Sequence, residues 1–221
     1  MNYNLTAEIL AFICGLGMWK FLEPPVLKLI VVLLGITVLN ESVLIPYLIQ
    51  TQRLSTNAVY NVFSMIDISV WLFVFIKLNP EKKMKVGLLV TAIILTVYSL
   101  LEIFLIRGFY RFHADSFKLY CLVMVLLALY FLLRLLSARY YVALKDPLFY
   151  ICIAVIIYQS MMFLNMTTVG QNKLPTDGLI KFALQLFAIL QDIGNISYYL
   201  LLCIAFLICF FNQRTKPLAY S

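Results

Sequence analysis

Charge is scarce in this sequence. Only 12% of its 221 residues are Asp, Glu, Lys or Arg, roughly half the usual share of about 25% in soluble domains. A soluble domain of this length could not cover its surface with so few charges. Histidine is scarcer still, with His113 alone in the chain. One imidazole cannot build the converging His and carboxylate ligands that a metal hydrolase needs. His113 lies in a loop beside Asp115 and is expected to be solvated. No nucleophile elbow, phosphate-binding glycine loop, H-E-x-x-H pair or dinucleotide fingerprint occurs. The chain is therefore expected to be non-enzymatic and to carry no cofactor.

Cysteine is present but uninformative. Cys14, Cys121, Cys152, Cys203 and Cys209 all fall in apolar stretches, with no zinc-ligand spacing. Free cysteine in such places behaves as a small hydrophobe. No lysine stands in the middle of the last apolar stretch, where a retinal Schiff base would need one. Lys181 is only at its entrance.

What is abundant is apolar. Hydrophobic residues make up 64%, with 17 Phe and 14 Tyr. Seven apolar stretches, at about 5–22, 26–49, 57–77, 85–106, 117–136, 147–168 and 181–211, approach the roughly 20 residues that a helix needs to cross a bilayer. The first is short and interrupted by Lys20. It lacks a basic leader and a small-residue cleavage site, so it reads as a helix and not as a signal peptide. Prolines mark the breaks: Glu23-Pro24-Pro25, Asn79-Pro80, and Asp146-Pro147 with Asp146 as N-cap. The longest connection is 169–178. The expected fold is an all-α integral membrane protein, a single domain of seven transmembrane helices.

Basic residues orient it. With the N-terminus outside, 11 of the 17 Lys and Arg fall in inner loops and 6 in outer ones. The positive-inside rule favours that arrangement, with the C-terminus cytoplasmic. The net charge of +7 is then met by anionic lipid. No basic cluster lies on a soluble surface, so nucleic acid is not an expected partner.

Polar residues inside the stretches collect towards the outer side. Asn57, Asn61, Ser64, Asp67 and Trp71 follow helical steps on one stripe. Gln185, Asp192, Asn195 and Tyr199 do so on the last helix, and Tyr158, Met162 and Asn165 on the sixth. Such stripes are expected to face the interior, because lipid satisfies no hydrogen bonds. Glu41, Asn61, Asp67, Glu102, Gln159, Asn165, Gln191, Asp192 and Asn195 are the candidate pocket residues. Asn61, Asn165, Gln159 and Gln185 serve as well as glue between helices. Arg107 or Arg111 is placed to reach Glu102, and Arg53 to approach Glu41. Asp67 and Asp192 have no evident partner. Gly194, beside Asp192, is a candidate helix break, Pro46 a bend in helix 2, and Gly15 and Gly17 candidate close-packing positions.

These features point to a receptor-like sensor that takes a small polar or cationic ligand in an outward pocket. Only ten residues follow the last stretch, so output is expected to pass to a separate cytoplasmic or membrane partner. A proton- or cation-coupled transporter or channel is the alternative, and an accessory subunit of a membrane complex the third reading. The bilayer is the one constant partner, with a bacterial inner membrane preferred, and self-association is open.

Overall fold

A computed structural model describes residues 3–51, 55–79, 81–138, 143–168 and 178–214. The described residues are helical with no strand. Helix α1 is Tyr3–Gly17. Helix α2 runs from Lys28 to Thr51 and contains a π-helical turn at Asn40–Leu44. Helix α3 is Thr56–Leu78. Helix α4 is Lys82–Leu101, continued by a second π turn at Glu102–Ile106. Helix α5 is Ala114–Ala138, α6 is Pro147–Thr168 and α7 is Gly178–Arg214. Six of the seven are long and apolar enough to cross a membrane. By length and composition the chain is a membrane-embedded, multi-pass protein.

Local chemistry sets the boundaries. Two glycines, Gly15 and Gly17, stand in the last turn of α1, where glycine weakens a helix by about 1 kcal/mol relative to alanine. The chain then makes a 3₁₀ turn at Trp19–Phe21 and becomes extended at Leu22, as residues approaching prolines tend to do. Helix α1 therefore ends at Gly17 and not at residue 22. A Cβ at Gly17 would meet open space, so it is no packing position. The close approach is at Gly35 of α2, whose Cβ would fall 2.8 Å from the Phe12 ring.

Helix α3 starts at the N-cap Ser55, whose Oγ accepts from the Ala58 N–H at 3.3 Å. It stops at Asn79, just before Pro80. Asp146 accepts from the Leu148 N–H at 2.8 Å ahead of Pro147, as an N-cap should. Pro46 causes no break in α2; the π turn that precedes it leaves the helix continuous to Thr51.

The chain forms two compact units: Phe12–Tyr120, and Met1–Ala11 with Cys121–Ser221. In the first, α2 packs on α3 and α3 on α4. Trp71, Phe75, Ile30 and Leu95 are among its largest enclosed side chains. In the second, α6 and α7 pack along each other. Gly194 lies on their contact line, where a Cβ would come within 2.9 Å of Met161. It is thus a packing position inside an unbroken α7 and not a helix break. The expected connection at 169–178 lies, except for Gly178, outside the described residues.

Candidate functional site

Residues 107–113, between α4 and α5, fold back onto the first half of α3. Asn61 is the anchor and is 0% exposed. Its Nδ2 donates to the carbonyls of Phe109 and Arg111, both at 2.9 Å. Its Oδ1 accepts from the His113 backbone N–H at 3.2 Å and lies 2.8 Å from His113 Nδ1. One amide so fixes three residues of the loop. His113 is also 0% exposed, not solvated. Its Nε2 lies 3.1 Å from Ser64 Oγ, which also donates to the Asn61 carbonyl. Burial and the nearby Arg107 lower the imidazole from 6.5 to about 4, against an opposing pull from Glu102, so it is neutral at pH 7. Ser–His–Asn in this order resembles a hydrolase triad. All three side chains are buried, and together they pin the loop to α3.

Glu102 closes the same loop from its other end. It sits at the π turn of α4, 1% exposed. Its carboxylate accepts from the backbone N–H groups of Asp115 (3.0 Å) and Ser116 (2.6 Å) at the start of α5. Arg107 Nε lies 2.6 Å away. A carboxylate at a helix N-terminus meets unsatisfied donors and the positive end of the helix dipole. Arg107 also pairs with Asp115, which Lys118 reaches at 3.0 Å. The Arg107 pairing expected for Glu102 is present.

Two further carboxylates of this unit have tyrosine partners. Tyr60 donates to Glu41 at 2.9 Å. Tyr120 donates to Asp67 at 3.1 Å, and Trp71 also bonds it. Asp67 is the deepest of these acids along α3, and it is not alone as expected. Arg53, proposed for Glu41, lies outside the described residues.

The second unit has its own polar line between α1 and α7. Asn4 donates to Asp192 at 2.7 Å. One turn further along α1, Glu8 is 3% exposed and bonds Tyr199. Tyr198 stacks on Tyr158 of α6 with ring centroids 4.6 Å apart. Glu8 is a buried acid missing from the candidate set, although Asn4 and Glu8 stand four residues apart in an apolar stretch. Asp192 and Gln185 are exposed, contrary to the expectation that their stripe faces inward; only Tyr199 of that stripe is buried. Gln159 is buried, and Gln191, Asn195 and Asn165 are half-buried.

No protein-family model, curated protein or solved structure matches the chain.

The candidate residues thus divide by unit. Glu41, Asn61, Asp67 and Glu102 belong to Phe12–Tyr120, while Gln159, Asn165, Gln191, Asp192 and Asn195 belong to the other. Among the described residues no group of three or more His, Cys, Asp or Glu could hold a metal.

Proposed function

We propose that the chain is a receptor-like sensor module without enzymatic activity. It spans the membrane seven times, N-terminus outside and C-terminus cytoplasmic, in a bacterial inner membrane. The observation that carries this reading is one-ended polarity. Inside the spans of the Phe12–Tyr120 unit the acids Glu41, Asp67 and Glu102 and the amides Asn57 and Asn61 occupy the second half of α2, α3 up to its middle at Asp67 and the end of α4, while at the opposite end Asn79 and Glu81 stand only where α3 passes to α4. Tyr120 bonding Asp67 is the deepest such bond. Beyond it α3 continues as Ile68–Leu78, with Ser69 and a terminal Lys77 as its few polar groups. A transported solute needs polar access from both faces, commonly at broken helices near the midplane. A sensor needs a receiving end and helices that relay a shift.

Asp67, Glu41 and Asp192 are the acceptors for a small polar or cationic ligand. At Asp67 such a ligand competes with the Tyr120 hydroxyl. At Asp192 it competes with the Asn4 amide, which would release α1 from α7. Signal passes to a separate partner, for which the basic run Lys82, Lys83 and Lys85 is the docking candidate. The transport alternative draws on one observation, the acids Glu8 and Asp192 along the same α1–α7 line.

Proton and cation flux in proteoliposomes tests the choice, comparing the intact protein with Asp67→Asn and Asp192→Asn. The sensor reading expects no flux under either gradient. Flux that the substitutions abolish would replace it with a transporter or channel.

A further inference from the structure

The hydrogen bonds around His113 fix its tautomer. Asn61 Nδ2 donates to two carbonyls, so its Oδ1 is the atom that faces the ring. An amide oxygen only accepts, so His113 Nδ1, 2.8 Å away, carries the hydrogen. Nε2 is then a bare acceptor, 3.1 Å from Ser64 Oγ. A base is held against one hydroxyl with none of its surface exposed.

A proton added to Nε2 would break no bond. Ser64 Oγ also reaches the Asn61 carbonyl at 3.0 Å, so its hydroxyl can turn there and accept from the imidazolium. The penalty is the enclosed charge itself. From α4 comes Glu102, but it already holds Arg107 and two α5 amides. The charges of Glu102 and Arg107 act on the ring in opposite directions. Arg111 of the loop adds a further cation, and Asp115 and Lys118 of α5 are paired with each other. Helix α3 contributes the neutral Asn61 and Ser64, its acid Asp67 being bonded by Tyr120 a turn deeper. Released into water, the imidazolium is hydrated, so protons favour the released loop.

Release has a defined extent. Arg107 stays tied to Glu102 and Asp115. The chain turns at Gly108, whose φ of +82° suits glycine, and the Arg111 N–H bonds back to its carbonyl at 3.1 Å. The segment that hangs from Asn61 is therefore 108–113. It includes Phe109, which lines a groove between α2 and α3. Every other described wall of that groove belongs to the two helices, so Phe109 is the wall that moves without moving a helix.

We propose that His113 is a proton-operated latch, whose protonation frees residues 108–113 from Asn61 and Ser64 and withdraws Phe109 from the groove between α2 and α3. The latch uses none of the acids assigned to the sensor, so it stands or falls independently of that reading.

Hydrogen exchange of the full chain in lipid nanodiscs tests it, read as protection factors at pH 8 and pH 5. With the ring titrating at about 4 when pinned and at 6.5 when released, protection of the His113 amide should fall about thirtyfold between these conditions. The Ile68–Leu78 amides of α3 should still be protected when the loop has exchanged. His113→Gln should abolish the pH dependence at the loop. His113 is the chain's one histidine, so labelling histidine with heavy nitrogen gives a single imidazole in NMR spectra of the intact protein. That ring should be the neutral Nδ1–H tautomer at pH 8, a reading that decides even where the variant misfolds. Equal loop protection at the two pH values, loss of loop and Ile68–Leu78 protection together, or an Nε2–H tautomer at pH 8 overturns the proposal.

Discussion

Asn61 spends both amide hydrogens and its carbonyl oxygen on residues about fifty positions away. Asn61→Ala strands two carbonyls and a backbone N–H at a buried site. A loss of about 1–3 kcal/mol is expected, read as an earlier midpoint in SDS-induced unfolding. His113 adds a pH dependence. Its folded value, about 4, lies below the 6.5 of an unfolded histidine, so between these values the unfolded chain binds more protons. The stabilisation is complete above pH 6.5 and is lost as pH falls towards 4, by up to about 3 kcal/mol. His113→Gln should flatten the intact protein's unfolding midpoint over this window; parallel curves for the two proteins would refute the assignment. None of this was visible locally, because Arg111 and Asp115 make the segment look solvated. Only the long-range contact with Asn61 buries it. Glu8 was legible, as a carboxylate one turn from Asn4 inside an apolar stretch.

At the scale of elements, apolar runs and prolines made most helix limits readable, and α6 spans 147–168 as expected. The two π turns were not readable, since NESVL and EIFLI are compositionally ordinary helix segments. What marks the second is tertiary: the Glu102 carboxylate reaches the start of α5. Glu102→Ala removes the acceptor for two N–H groups and leaves Arg107 with Asp115 alone. Because Arg107 is partly exposed and keeps Asp115, the cost is that of two backbone N–H groups left without their acceptor, about 1–3 kcal/mol. Hydrogen exchange at the Asp115 and Ser116 amides should accelerate strongly, while the Ile68–Leu78 amides of α3 change little. Equal acceleration throughout would point to global unfolding and not to a lost cap.

For the whole molecule, the outcome turns on helix α1. Helix α1 has 15 residues, about 22 Å at 1.5 Å per residue, against about 30 Å of hydrocarbon. If α1 crosses, seven spans place the termini on opposite faces; if it does not, six place them together. Labelling Tyr3→Cys and Gln213→Cys with an impermeant maleimide in intact cells and in inverted vesicles decides it. Tyr3→Cys is expected to react only from outside and Gln213→Cys only from inside. Composition identified the bilayer as the solvent, but the positive-inside margin leaves sidedness to this measurement.

The π turn of α2 has a consequence for how the helix can be altered. It accommodates one residue more than an α turn, and each residue of an α-helix advances about 100° around the axis. Deleting a single residue within 40–44 would restore a plain α-helix and leave everything beyond it facing nearly the same way, since the wide turn and the α turn complete the same rotation with one residue's difference. Tyr47 and Leu48 would keep their places along the groove between α2 and α3. The same deletion in the plain stretch Lys28–Leu39 would turn them by about 100° and remove them from it, so the pair of deletions separates membrane insertion from the face that α2 presents to α3.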